Sequence, residues 1–297
     1  MSQCLIVFNP NSGRGRGSQR AQAVHSALQD AGVRYEAVIS QSRGHAIELA
    51  ERAALNGFSL VVAAGGDGTV NEVINGLMRA RSAGTIATLG VIPIGTGNDF
   101  ASALGIPRQA EAAVARLAAR QGRRVDIGCV NGRYFGNNVG IGFEARVNIE
   151  AHRITLLRGQ LLYLVAALRA TASYPFPQVT VQKDGQDFLA KRILMLSVGN
   201  NFRAGGGFLL TPEARNDDGL LDMCVVDAIP RSEIFRLLPK AMNGKHQGER
   251  AVAMTRFSHL VIESNDPLPV HADGEILWND VHRVEITLEP GCLEVMG

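Results

Sequence analysis

Gly65-Gly66-Asp67-Gly68-Thr69 combines three glycines with one carboxylate and one hydroxyl. The apolar run 60–64 precedes it, and Val70, Val73, Ile74 and Leu77 follow at helical spacing. A strand that breaks into glycines and becomes a helix lets backbone N–H groups approach an anion closely. The helix start adds free N–H groups and the positive end of its dipole. Thr69 is of the type that caps a helix. Asp67 is the oddity, because a carboxylate beside phosphates repels them unless a metal or a proton lies between. It is therefore a candidate for indirect contact with magnesium. The same residues also read as an ordinary β–α turn with an Asx bend.

Pro93-Ile94-Gly95-Thr96-Gly97-Asn98-Asp99-Phe100-Ala101 is a second such turn, with Asn98 or Asp99 as helix cap. Two glycine turns at the carboxyl ends of neighbouring strands converge on one crevice in an open α/β sheet. The loop 9–18 holds Asn9, Ser12, arginines and glycines at every second residue, which does not fit the dinucleotide GxGxxG pattern. It reads as another anion site, with Ser12, Gly13 and Arg14 as donors, or as a surface loop whose arginines suit nucleic acid.

The second half offers carboxylates. A glycine loop at 200–207 leads to Glu213, Asp217, Asp218 and Asp222 around a turn. Adjacent carboxylates in a turn can hold a hard divalent ion together with backbone carbonyls. A solvated turn before a strand looks the same. Val270-His271-Ala272-Asp273-Gly274-Glu275 places Asp-Gly between strand-like runs, a hairpin signal. Its carboxylates are also candidates for a general base. His271 alone reads as structural.

The elements that must position these groups alternate at first. Strands are expected at 4–8, 35–40, 60–64, 88–94 and 124–129, the last carrying Asp126. Helices are expected at 19–31, 45–55, from 70 onward, and at 110–119. That alternation predicts a parallel sheet covered on both faces. After about residue 130 the texture changes. The stretch 137–143 is glycine-rich. A helix over 154–170 sets Ile154, Leu157, Leu161, Leu164 and Leu168 on one side, as a core helix or a membrane-facing one. Strand-like runs follow at 178–182, 193–198, 220–226, 259–263, 268–271 and 284–288, with turn signals at Asp184-Gly185 and Asp273-Gly274. They predict a mostly antiparallel sandwich or flattened barrel. The expected division is 1–130 and 131–297, with the last few residues open to return to the first domain.

Composition narrows the functions. The 297 residues are 46% hydrophobic and 20% charged, with a net charge of +2, so a sizeable core forms and no broad basic face is implied. Aromatic residues are only 5%, which further disfavours nucleic acid. Lysine first occurs at Lys183. A Walker A loop or a protein-kinase fold, each needing a lysine near its glycines, is excluded from the first half. Phosphate charge there must be met by backbone N–H groups, arginine and metal. The four scattered cysteines form no CxxC pair and read as reduced thiols, not zinc ligands. MSQCLIVFNP has no basic segment before an apolar one, so a signal peptide is not expected. The apolar stretch 161–168 falls far short of the ~20 residues that span a bilayer. A cytoplasmic protein, soluble or peripheral at the inner face of the membrane, is expected.

Taken together, NPNSGRG, GGDGTVNEV and PIGTGNDFA resemble the catalytic region of the diacylglycerol-kinase and sphingosine-kinase family. The later FRAGGG, TPEARNDDGLLD and HADGE resemble the second domain of its soluble bacterial lipid-kinase branch. The resemblance spans nearly the whole chain, in order. It implies an α/β fold with a Rossmann-like nucleotide-binding lobe followed by a mostly antiparallel β-sandwich lobe.

By resemblance, Gly65, Gly66, Asp67, Gly68, Thr69, Val70 and Asn71 bind nucleotide phosphates. Asn9, Ser12, Ser40 and Thr96 match further nucleotide-contacting positions, Ser40 standing where a threonine is common. Asp67, Asp99 and Asp126 match carboxylates that position Mg²⁺ through water. Arg215, Asp218 and Leu220 match a separate cation site, for Mg²⁺ or Ca²⁺. Asp273 and Glu275 match the acidic pair that activates the acceptor, and either is open as the base. The implied function is ATP-dependent, Mg²⁺-dependent phosphorylation of a lipid hydroxyl: diacylglycerol, phosphatidylglycerol or a sphingoid base. A lipid partner is expected and a nucleic acid is not. A homodimer and a peripheral membrane contact stay open. The alternatives are an NAD kinase, which shares the GGDGT logic, and a non-catalytic nucleotide sensor.

Overall fold

The computed structural model describes residues 4–15, 17–154, 157, 159–203 and 208–297. Ala204, Gly205, Gly206 and Gly207 of the glycine loop at 200–207 lie outside the described residues, as do Arg16, Thr155, Leu156 and Arg158. The chain divides into two compact units, Met1–Ile127 with Arg133–Gly136 and Pro290–Gly297, and Gly128–Gly132 with Asn137–Glu289.

The first unit runs β1 (Cys4–Phe8), α1 (Ser12–Gly15), α2 (Gly17–Asp30), β2 (Glu36–Ile39), α3 (His45–Leu55), β3 (Leu60–Gly65), α4 (Asp67–Ser82), β4 (Thr88–Pro93), α5 (Asp99–Ala103), α6 (Ala110–Ala118), β5 (Gly122–Val130), whose last residues belong to the second unit, and β6 (Arg133–Phe135). Strands β2, β1, β3 and β4 pair in that order, all parallel. Residues of β1 and β3 alternate between two cores. Leu5, Val7, Val61 and Ala63 join α3 and α4 on one face, while Ile6, Phe8, Val62 and Ala64 join Val24, Leu28, Val114 and Leu117 on the other. Burial on both faces is why these strands are unbroken apolar runs. The chain order reverses between β1 and β3, and at such a point an open α/β sheet leaves a crevice outside the strands' carboxyl ends.

The second unit continues with β7 (Asn138–Gly142), α7 (Phe143–His152), α8 (Gly159–Ser173), β8 (Gln178–Lys183), β9 (Gln186–Gly199), β10 (Leu221–Asp227), α9 (Arg231–Met242), β11 (Val252–Phe257), β12 (His259–Ala272) and β13 (Glu275–Met296), whose last residues belong to the first unit. Pairing within this unit is antiparallel and sandwich-like. The long strands β9 and β12 share two partners, β8 along one half and β7 along the other. Both short turn signals are hairpins. Asp184-Gly185 and Asp273-Gly274 have positive φ throughout (50°, 79°, 47° and 80°), as two-residue hairpin turns require.

Three differences from expectation have physical causes. The helix after the first glycine turn starts at Asp67 with Gly66 as its cap, so Thr69 lies inside its first turn. Helix α8 starts at Gly159, after Ile154 and Leu157, and buries Ala166, Ala167 and Ala170. Its leucines face outward, with Leu161, Leu164 and Leu168 at 55%, 42% and 48% exposure. Small residues let the helix lie close to its neighbours, so the leucine stripe is not its core face. Helices α7 and α9 and strand β11 are additional elements. Among the described residues no helix is long and apolar enough to cross a membrane.

Candidate functional site

Three turns meet at the carboxyl ends of β1, β3 and β4. Ile94 and Gly95 both donate N–H bonds to Gly65 O, at 2.9 and 3.1 Å. A Cβ on Gly95 would collide with Gly66 Cα and come 2.7 Å from Asn98 Oδ1. The two glycine turns therefore touch backbone to backbone, which only glycine allows. The loop after β1 joins them. Gly13 is left-handed (φ +61°), and a Cβ there would sit 2.7 Å from Ile94 O. Arg20 Nη1 donates to Ile94 O at 2.7 Å and Gly95 O at 3.2 Å. Asn9 Nδ2 donates to Thr69 Oγ1 at 3.0 Å, across the β1–β3 crevice.

Most other expected nucleotide residues lie on the same edge of the sheet. Gly68 and Thr96 are exposed at the turn tips. Ser12 and Ser40 are buried. Ser40, just past β2, bonds Phe8 O through both its N–H (2.8 Å) and its hydroxyl (3.3 Å). Val70 turns inward to the core, and its N–H closes the first helical turn on Gly66 O at 3.0 Å. Asn71 Nδ2 donates to Tyr134 O at 3.1 Å. The N–H groups of Asp67, Gly68 and Thr69 precede any intrahelical acceptor, as at every helix start.

The polar side chains of α4 also hold the neighbouring elements. Asp67 Oδ1 accepts the N–H of Phe100 at 3.1 Å. Glu72 accepts N–H bonds from Gly44 (2.9 Å) and Ala46 (3.0 Å) at the start of α3. Asn75 fastens β6, accepting from Tyr134 N and donating to Tyr134 O. Sequence reasoning missed the roles of Glu72 and Asn75, although their helical spacing from Asp67 was available.

In the second unit, Asp273 sits in the β12–β13 turn. Its Oδ1 accepts the N–H groups of Asn137 and Asn138, each at 2.9 Å, and its own N–H bonds Asn138 O. Both the hairpin and the fixed carboxylate are therefore present. Glu275 is the first residue of β13. A largely apolar cavity of about 290 Å³ lies wholly within this unit, lined by α7, α8, α9 and the strand floor and reaching Gly274 of that turn. Asn148 Nδ2 ties α7 to Gly274 O at 3.2 Å. Glu144, His246 and His271 also line it. Glu144 was not foreseen. The glycine-rich stretch just before it, leading from a strand into a helix, was the available signal.

The expected cation segment is a polar turn. Arg215 Nε bonds Asp217 Oδ1 at 3.1 Å. Asp218 Oδ1 accepts Leu220 N–H at 3.1 Å, and Arg256 Nη1 stands 3.8 Å from Asp218 Oδ2. Burial raises the Asp222 carboxyl above its ordinary value, with the Arg256 guanidinium pulling the other way.

Residues 3–130 match the diacylglycerol kinase catalytic domain, and residues 137–297 match the YegS C-terminal NAD kinase beta sandwich-like domain. The chain is 32% identical over 281 residues to a diacylglycerol kinase of Bacillus subtilis (strain 168), covering 93% of this chain and 90% of that one. This chain belongs to the diacylglycerol kinase family. Another family relative is a probable lipid kinase YegS-like of Pseudomonas aeruginosa (strain UCBPP-PA14), 33% identical over 297 residues, covering 98% of this chain and 93% of that one. A putative diacylglycerol kinase from Bacillus anthracis shares the structure with a TM-score of 0.79 and 25% identity, over 99% of this chain and 96% of that one. An NAD kinase from Archaeoglobus fulgidus, in complex with ATP, is more distant, with a TM-score of 0.54 and 14% identity over 99% of this chain and 93% of that one. That likeness is one of fold alone.

A diacylglycerol kinase fold raises the question of magnesium. Among the described residues, no group of three or more His, Cys, Asp or Glu side chains gathers as a metal cage. Magnesium seldom needs one, taking one or two carboxylates and completing its shell with phosphate and water. Asp67 and Asp99 are the first residues of α4 and α5, which leave the two touching turns. A Cβ on Gly97 would come 2.8 Å from Asp67 Oδ2, so that oxygen faces the second turn. That oxygen is a hard donor of the kind such an ion takes. Asp126 is buried on β5, where its Oδ1 accepts the N–H of Gly291 at 2.6 Å.

Proposed function

We propose that this chain transfers the γ-phosphoryl group of ATP to the hydroxyl of a lipid such as diacylglycerol, phosphatidylglycerol or a sphingoid base. The observation that carries the reading is the apolar cavity that reaches Gly274, between Asp273 and Glu275. A chain-bearing alcohol fits such a cavity, and the flanking carboxylates suit a general base.

In this reading the amides of Gly65–Asn71, with Asn9, Ser12, Ser40 and Thr96, hold the triphosphate. Asp67, Asp99 and Asp126 are the residues that would hold magnesium, which when bound would supply charge neutralisation at the phosphates. Asp273 or Glu275 takes the proton of the acceptor hydroxyl. The acceptor oxygen bonds to the γ-phosphorus as the bond from that phosphorus to the β–γ bridging oxygen breaks, leaving ADP. Arg215, Asp218 and Leu220 form a separate site for Mg²⁺ or Ca²⁺, where the cation competes with Arg256. The outward leucines of α8, whose Tyr163 lines the cavity, support peripheral contact with a membrane at its cytoplasmic face.

The test is incubation with ATP, Mg²⁺ and vesicles carrying each candidate lipid, with mass spectrometry of the extracted lipids. A phosphorylated lipid is expected. No such product from any of the three classes contradicts the proposal.

A further inference from the structure

Asp273 takes its position from the end of β7. Its Oδ1 accepts the N–H groups of Asn137 and Asn138, and its own N–H bonds Asn138 O, each at 2.9 Å. Those bonds form only while β12 keeps its register on β7. The pairing is short: Val270, His271 and Ala272 stand opposite Ile141, Gly140 and Val139. On its other edge β12 steps irregularly against β13 at Val270 and His271. A slip of one residue would turn every side chain to the opposite face.

Glu144 bridges the two strands at this point. It stands in the first turn of α7 and reaches back over Gly140. A Cβ on Gly140 would come 2.5 Å from Glu144 Cδ and collide with His271 Nε2, so only glycine leaves room. Glu144 Oε1 accepts from Asn138 Nδ2 at 3.0 Å, and His271 Nε2 faces the same oxygen at 3.2 Å. One oxygen thus joins β7 to β12. Asn138 is itself the main-chain partner of Asp273, and His271 lies two residues before it. Glu144 Oε2 and His271 Nδ1 are buried with no partner. A carboxylate and an imidazole so incompletely bonded cost stability, and apolar side chains would join two strands at less cost. The bridge therefore serves the placement of Asp273 more than the strength of the sheet.

We propose that Glu144 is a positioning residue: by joining Asn138 to His271 it fixes the register that aims the Asp273 carboxylate. The role needs reach, not charge. Its catalytic consequence rests on the lipid-kinase reading; the placement of Asp273 does not.

Two conservative variants separate reach from charge. Glu144→Gln keeps the length and an oxygen for Asn138 and His271. Glu144→Asp keeps the charge and falls one methylene short. The first readout is amide hydrogen exchange of the whole protein without nucleotide or lipid, resolved at Asn137 and Asn138, with the amides of β10 as reference. Glu144→Asp should speed exchange there by about tenfold or more relative to β10, and Glu144→Gln by less than about threefold. His271→Leu cuts the bridge at its other end and repeats the exchange test if Glu144→Asp does not fold. The second readout is phosphoryl transfer to diacylglycerol, per folded molecule. Glu144→Asp should lose kcat by about tenfold or more, with KM for ATP and for lipid within about threefold of the parent. Glu144→Gln should keep kcat within about threefold. A merely structural role would lower the melting temperature and leave kcat per folded molecule unchanged. Unchanged exchange at Asn137 and Asn138 in Glu144→Asp overturns the proposal. So does a loss in Glu144→Gln equal to that in Glu144→Asp. If the unaltered protein phosphorylates no lipid, the kinase reading fails and the exchange readout alone decides the role of Glu144.

Discussion

Asp67 opens α4, yet its Oδ1 accepts the backbone N–H of Phe100 in the first turn of α5, at 3.1 Å. One carboxylate thus caps the helix that leaves the other glycine turn. The cap holds the two turns in the register that their touching backbones require, and it leaves Oδ2 on the side of Gly97. The residue that looked out of place among phosphate-binding glycines is structural through one oxygen. Its other oxygen, facing the second turn, is the one the proposed metal role uses.

That division of labour separates two substitutions. Asp67→Asn keeps an oxygen for the Phe100 N–H and removes the charge. It should melt within about 2 °C of the parent, consistent with a retained cap, and lose phosphoryl transfer by about 100-fold or more. Asp67→Ala should lose activity as well and be less stable by about 1 kcal/mol. Thermal melts beside transfer rates check both. Full activity of Asp67→Asn contradicts the metal role.

Glu72 belongs to the same motif but acts as a helix cap. Its two oxygens serve Gly44 and Ala46 at the start of α3. Glu72→Ala should cost about 1–2 kcal/mol in denaturant unfolding. The folded fraction should keep its KM for ATP. A large rise in KM with unchanged stability would place Glu72 in the site instead.

Gly76, in mid-α4, gives a prediction opposite in sign to helix propensity. Propensity alone favours Gly→Ala by about 1 kcal/mol. Here a Cβ would collide with Ile47 O and sit 2.7 Å from Ala50 Cβ and 2.9 Å from Glu51 N, where α3 crosses α4. Gly76→Ala should destabilise by about 1–3 kcal/mol. Stabilisation in urea unfolding would contradict this packing.

Stability should also fall in mild acid through His246. Burial lowers its pKa below 6.5, and the bond from its Nε2–H to Leu210 O only partly offsets this. As pH falls through 6.5, the unfolded chain takes up the proton first, so stability declines until the folded pKa is passed. The decline is at most ~1.4 kcal/mol per pH unit for this one group. His246→Gln should lose less stability than the parent between pH 7 and pH 5.5. An equal decline in the two proteins contradicts the assignment.

How much was legible depended on whether the signal was local. Strands β1, β3 and β4 were readable because burial on both faces makes each an apolar run, and the glycine breaks after β3 and β4 mark where those runs stop. Helix α3 was readable over its whole length. Helix α7 was not, because it begins straight after Gly142 at φ +83° and buries a glutamate and two alanines in place of a leucine stripe. Helix α9 was hidden by Pro239 in its interior, since proline reads as a helix breaker. The leucine stripe of α8 was visible, but which face met the sheet depended on alanines that carry little periodic signal. The pairing of Glu144 with His271 spans 127 residues and follows from strand register across β7 and β12, which no local pattern encodes.

The most direct measurement places diacylglycerol vesicles and NAD together with γ-labelled ATP, Mg²⁺ and the protein, then counts label in the organic and aqueous products. The account predicts label in a phosphorylated lipid and none in a phosphorylated dinucleotide. Label in the dinucleotide, with the lipid untouched, would contradict it.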